Sequence, residues 1–119
     1  MKIFVTHAKS FDFENELYAP LRNSQLARDH QFIFPREGER KMTKDIIQEC
    51  DVVLAEVSSP STGSGVEMGW ADAFGKPVIA IHKSGSKIST SLEYVAQAII
   101  SYKSIHELPG LITQELKKL

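Results

Sequence analysis

Apolar residues along this chain fall into two alternating rhythms. Short, nearly continuous runs rich in Val, Ile and Phe occur at KIFVT (2–6), QFIFP (31–35), DVVLAEV (51–57), KPVIAIH (76–82) and AIISY (98–102). Such runs predict strands, and one as unbroken as DVVLAEV predicts a strand buried on both faces. Between them the apolar spacing lengthens. Leu17, Leu21 and Leu26 mark a helical stretch over FDFENELYAPLRNSQLARD, with Ser10 or Asp12 as its cap. Pro20 predicts a kink there or a second start. MTKDIIQEC predicts a short helix capped by Thr43, and Val66 to Phe74 a helix closed by Gly75. TSLEYVAQ begins helically, and SIHELPGLITQELKKL ends the chain as a helix that Pro109 and Gly110 interrupt or start. REGERKM and SGSKIS read as loops.

Strands that alternate with helices call for a parallel sheet covered on both faces, joined by right-handed crossovers. The fold class expected is therefore α/β. Specifically, it is a flavodoxin-like three-layer sandwich whose five-stranded parallel sheet has the order 2-1-3-4-5. In such open sheets ligands sit outside the carboxyl ends of the strands, near the switch point between strands one and three. That rule selects two segments, THAKS after strand one and SSPSTGSGVE after strand three.

Composition narrows the function classes. The 119 residues fit one domain over 1–119, and 42% hydrophobic content suffices for a core. A formal net charge of −1 argues against binding a nucleic-acid polymer through charge. The basic run RKMTK (40–44) reads as solvated surface. One cysteine, Cys50, excludes an intramolecular disulfide and reads as a buried thiol. The start of the chain has no signal-peptide pattern, and no run approaches the roughly 18 apolar residues of a membrane span. A cytoplasmic location is expected, without membrane association. The histidines and acids lack metal-ligand spacing, so no metal is expected.

The chemistry concentrates in SSPSTGSGVEMG. Gly63 and Gly65 permit a tight turn and a close approach of the backbone to a ligand. The helix that follows offers unpaired N–H groups to an anion, and Ser58, Ser59, Ser61, Thr62 and Ser64 add hydroxyls. No G-K-[ST] follows, and GSGVEMG is not GxGxxG, so neither dinucleotide nor Walker A binding is indicated. Glu67 has two readings. It suits the helix dipole in a first helical turn, or it is a nucleophile able to attack the anomeric carbon of a sugar. Thr6 and His7 end strand one. His7 is either a hydrogen-bonded bystander or a proton donor and phosphate partner. Trp70 reads as packing under the crevice, His106 as surface, and His82, Ser84, Ser86 and Ser89 as a further crevice wall.

DVVLAEVSSPSTGSGVEMGWADAFGKPVIAI resembles the central segment of the nucleoside 2-deoxyribosyltransferase family, including its branch acting on 2′-deoxynucleoside 5′-monophosphates. The shared features are an apolar strand opening with Asp, a Gly-x-x-x-Glu-Met-Gly helix start and Lys-Pro-Val entering the next strand. The resemblance implies cleavage or transfer at an N-glycosidic bond, without a cofactor, through a glycosyl-enzyme intermediate. Glu67 would then be the nucleophile, and Ser61, Gly63 and Gly65 would line the phosphate or 5′-hydroxyl end. Asp51 would be structural. The family's base-assisting Asp falls near Thr43, with Asp45 two positions on as a substitute. Ser89 or Ser91 would reach the phosphate across a dimer interface, and a homodimer or larger homo-oligomer is implied. Two departures stand out, because KIFVTHAKS has neither the family's Tyr nor its small-residue turn. They leave open a nucleotide- or nucleotide-sugar-binding module that kept the fold and lost the chemistry. A phosphoribohydrolase reading lacks its PGGxGT pattern.

Overall fold

The computed structural model describes residues 1–38 and 41–119. Five strands, β1 (Lys2–His7), β2 (Gln31–Ile33), β3 (Val52–Glu56), β4 (Val78–Lys83) and β5 (Ala98–Tyr102), form one sheet of order β2-β1-β3-β4-β5. Every pairing is parallel, so all five carboxyl ends lie along one edge. Alternate side chains of each strand then feed two separate cores. Ile3, Val5, Leu54, Ile79 and Ile81 pack with Leu17, Leu21, Leu108 and Ile112 on one face. Phe4, Val53, Ala55 and Val78 pack with Ile47, Met68, Ala71 and Leu92 on the other. Leu108 and Ile112, four apart on the last helix, are fully buried. Truncating either to Ala is expected to cost about 2–5 kcal/mol.

The expected order of elements and of strands is what the chain adopts, and the departures are local. The single helix expected before β2 is three pieces. A π-helical segment (Glu14–Tyr18) runs into α1 (Ala19–Arg22), and α2 (Leu26–Asp29) follows a turn. Pro20 sits in the first turn of α1, directly where the π-helical segment passes into the α-helix, and its missing N–H interrupts the ladder at that junction. β2 stops at Ile33 rather than Pro35, since Pro35 has no donor for the ladder. α3 (Lys44–Glu49) falls within the expected segment, but Thr43 makes no side-chain cap bond to it. The segment after β4 is a 3₁₀ turn (Thr90–Tyr94), capped by Ser89 accepting from the Ser91 N–H. The terminal helix, α5 (Leu108–Leu116), carries Pro109 and Gly110 inside its first turn.

One correction changes the site. The helix after β3, α4 (Thr62–Ala73), begins at Thr62, not at Val66. Ser61 adopts extended backbone, and its hydroxyl accepts the Ser64 N–H at 3.1 Å, the bond that nucleates a helix start. Gly63 and Gly65 therefore lie within the first helical turns. Positive φ among the described residues occurs at Gly38, Gly75 and Gly85, not at either of these. What they contribute is open space, because a Cβ on either would meet nothing within 4 Å.

Candidate active site

At the carboxyl edge, three neighbouring strand ends surround a cavity of about 1080 Å³. The end of β1 and the segment after it supply His7, Ala8, Lys9 and Ser10 to its wall. The segment after β2 supplies Pro35, Arg36, Gly38, Lys41, Met42 and Thr43, and α4 with its approach supplies Pro60 to Ser64, Val66, Glu67 and Trp70. This is the switch point between β1 and β3 at which open α/β sheets bind ligands.

Glu67, half-buried in the second turn of α4, is held from two directions. The Thr6 hydroxyl donates to Oε1 at 2.7 Å, and the Thr43 hydroxyl donates to Oε2 at 2.5 Å. Thr6 is the penultimate residue of β1 and is buried, and Thr43 precedes α3, so the two donors belong to separate elements. Thr6 Oγ1 also lies 3.0 Å from Ser64 Oγ. A threonine hydroxyl has one proton, so it donates to the carboxylate and accepts from Ser64. Both carboxylate oxygens are thus fixed in orientation at the cavity wall. Among the described residues Glu67 is the one carboxylate in the cavity wall, whereas Lys9, Arg36 and Lys41 are cationic.

His7 is a buried member of this wall. Its Nδ1 lies 2.9 Å from the Ala8 carbonyl oxygen, which can only accept, so Nδ1 carries the proton. Nε2 then accepts from the Tyr18 hydroxyl at 2.6 Å, and Tyr18 in turn accepts the Arg36 backbone N–H at 3.3 Å. The imidazole stacks on Phe13 with centroids 4.5 Å apart. Burial lowers the His7 pKa below its usual value, against the pull of the Ala8 carbonyl. The ring is therefore neutral near pH 7, with both nitrogens occupied. Its structural effect reaches outward through Tyr18 to the backbone that carries Arg36.

A buried carboxylate lies beside this network. Glu56, 2% exposed at the end of β3, accepts from the Ser58 N–H at 2.6 Å, the Ser58 hydroxyl at 3.0 Å and the Tyr102 hydroxyl. The Lys83 N–H donates to Ser58 Oγ at 2.7 Å. Glu56 thereby ties together the ends of β3, β4 and β5 and anchors the segment leading to Ser61. Burial, followed by the bond to Glu56, pushes the Tyr102 pKa well up.

Of the residues singled out by sequence, Thr6, His7, Ser61, Gly63 and Glu67 come together around the cavity. Gly65 lies on α4 but not in the cavity wall. Asp45 is exposed on α3, outside the cavity, and it is Thr43 that reaches Glu67. Ser89 is exposed at its 3₁₀ turn, also outside the cavity. Within the basic run RKMTK, Lys41 lines the cavity, while Arg40 lies outside the described residues. Sequence reasoning missed Tyr18, Arg36 and Glu56. The signal for Glu56 was there, as an acid at the end of an otherwise apolar strand.

With this geometry the chain matches the family model for nucleoside 2-deoxyribosyltransferase over residues 3–111, and it belongs to that family. Among curated proteins it is similar to the 5-hydroxymethyl-dUMP N-hydrolase of Rattus norvegicus, at 42% identity over 52 residues, covering 42% of this chain and 32% of that protein. The Mus musculus protein of the same name is 35% identical over 77 residues, covering 63% and 41%. A putative 2′-deoxynucleoside 5′-phosphate N-hydrolase 1 of Syntrophotalea carbinolica is 35% identical over 65 residues, covering 52% and 46%. The chain thus spans less than half the length of the curated relatives it matches. The solved structure of a Clostridium botulinum CMP N-glycosidase has the same fold, with a TM-score of 0.70 at 21% identity over 95% of this chain and 99% of that one. No helix among the described residues is long and apolar enough to cross a membrane.

Proposed function

We propose that this protein breaks the N-glycosidic bond of a nucleoside or nucleoside 5′-monophosphate, passing the sugar to water or to a second base, with Glu67 as nucleophile. The observation that carries the reading is the Glu67 carboxylate, clamped between Thr6 and Thr43 at the cavity wall beside the start of α4. A carboxylate oxygen attacks C1′ and the base leaves, and water or an acceptor base then resolves the glycosyl-enzyme. A nucleophile fixed in this way loses little orientational freedom on reaching the transition state. The 5′-phosphate fits the first turn of α4, whose opening residues Ser61, Thr62 and Gly63 line the cavity. Membership of the family and the N-hydrolase names of the curated relatives support the same reaction class. Ser89 enters the reading only as a donor from a second copy, in a homo-oligomer.

The test is incubation with deoxynucleosides and their 5′-monophosphates, following free base by chromatography and the protein by intact mass. Base release and a sugar adduct in the wild type, both lost in Glu67→Gln, are expected. Base release undiminished in Glu67→Gln would sink the mechanism. Binding of nucleotide with no base release in the wild type would favour a module that keeps the fold without the chemistry.

A further inference from the structure

Arg36 reaches the cavity on a tight turn. The Glu37 N–H donates to the Phe34 carbonyl at 3.1 Å, which closes a four-residue turn with Pro35 and Arg36 at its centre. Pro35 and Arg36 line the cavity, whereas Phe34 and Glu37, the two ends of the turn, do not.

Both of those ends meet one side chain that lies outside the cavity. Arg22, in the last turn of α1, donates from Nη2 to the Glu37 carboxylate, and its guanidinium carbon lies 5.3 Å from the centroid of the Phe34 ring. The same guanidinium takes the Glu14 carboxylate, at the head of the π-helical segment, in a two-pronged pair at 2.8 and 3.2 Å. It also lies 5.7 Å from the centroid of Tyr18. Tyr18 holds the centre of the turn, because its hydroxyl accepts the Arg36 N–H at 3.3 Å. The Tyr18 and Phe34 rings pack on each other, with centroids 4.3 Å apart.

An exposed ion pair by itself fixes little. A planar fork that grips two carboxylates while lying over two rings holds geometry better than a point charge would. We propose that Arg22 is a positioning residue for the active site: it clasps the 34–37 turn to α1 and the π-helical segment, and so sets where Arg36 meets the substrate. The kinetic consequence rests on the glycosidic reading above, whereas the clasp does not. Glu67 takes its orientation from Thr6 and Thr43 instead, so loss of the clasp is felt in substrate binding rather than in the chemical step.

The test compares wild type, Arg22→Ala, Arg22→Lys, Arg36→Gln and the Arg22→Ala/Arg36→Gln double variant. Amide hydrogen exchange follows the Arg36 N–H, with the Val53 N–H of β3, bonded to the Pro77 carbonyl, as the core reference. Arg22→Ala should speed exchange at Arg36 about fivefold, the scale of one good exposed pair, and leave Val53 unchanged. It should raise the nucleotide KM about fivefold and keep kcat within about twofold. Arg22→Lys, which keeps the charge without the fork, should fall between. On the Arg36→Gln background Arg22→Ala should add nothing to KM, since the cation it positions is gone.

Unchanged exchange at Arg36 in Arg22→Ala overturns the proposal. So does a rise in KM that survives undiminished on the Arg36→Gln background. Faster exchange at Arg36 and Val53 alike, with KM unaltered, overturns it too, by reducing Arg22 to a general stabiliser. If the wild type releases no base, the glycosidic reading falls separately. The clasp is then judged by exchange and by the dissociation constant of inorganic phosphate, followed through Trp70, the one tryptophan and a cavity residue. Arg22→Ala should weaken that constant about fivefold, and an unaltered constant overturns the proposal.

Discussion

The hydroxyl of Thr43 donates to Glu67 Oε2 at 2.5 Å, joining the start of one helix to the second turn of another, 24 residues further along the chain. Opposite it, Thr6 binds Oε1. Two side chains from different layers thus determine where one carboxylate points. Removing either hydroxyl without changing side-chain volume leaves the fold and frees the carboxylate to rotate. A hydrogen bond to a charged group contributes about 1.5–3 kcal/mol. Thr43→Val or Thr6→Val should therefore lower kcat about ten- to 100-fold with a smaller change in KM. Steady-state kinetics on the best nucleotide substrate will check this.

Gly63 and Gly65 offer a contrast within one helix. Both have helical backbone with room for a methyl group, so Ala at either position should raise Tm, by up to about 1 kcal/mol of helix propensity. Gly63 lines the cavity and Gly65 does not. Gly63→Ala is expected to raise KM, and Gly65→Ala to leave it unchanged. Thermal melts and KM measured on the same two preparations separate the effects.

Much of this architecture was legible beforehand, and its gaps have physical causes. Strands such as DVVLAEV are covered on both faces, which makes them continuous apolar runs that stand out in any window. The start of α4 was misread because TGSG has the composition of a turn, and only the Ser61 to Ser64 cap reveals the helix. Glu67 was identifiable as an acid at a helix start, but its partners were not. Thr43 passed for a helix cap, yet its hydroxyl makes no cap bond and goes to Glu67 instead. Tyr18 reaches His7 from a π-helical segment whose register no 3.6-residue periodicity describes.

Buried titratable groups bound the pH range of stability. The lowered His7 pKa means the folded state binds a proton less readily than the unfolded one, whose value is near 6.5. Stability is therefore full above that pH and falls as the medium is acidified below it. Burial pushes Tyr18 from 10.0 up to about 12, and Tyr102 is pushed up further. Their contribution is present below pH 10 and is lost as pH rises through the folded values. Chemical denaturation across pH 4 to 12, values chosen to bracket those windows, should show a plateau between about 6.5 and 10. His7→Asn should flatten the acid limb and Tyr102→Phe part of the alkaline limb.

Tyr102→Phe also strips a donor from buried Glu56. The carboxylate keeps its two bonds to Ser58 but loses its reach to β5. A destabilisation of about 1–3 kcal/mol is expected at pH 7. Glu56→Gln should cost a comparable amount. Denaturant titration at constant m-value gives both numbers.

The cap at Ser61 and the carboxylate at Glu67 belong to one uninterrupted helix, and that turns a sequence interval into an angle. Each helical residue rotates the direction of the side chain by about 100°. One residue gained or lost between positions 61 and 67 would swing the acid away from Thr6 and Thr43, even though every chemical group remained. The stretch before Ser61 carries no such constraint, because the helix restarts from its cap. In descendants of this chain, insertions should accumulate ahead of the serine, while the six-residue step from Ser61 to Glu67 stays invariant in length.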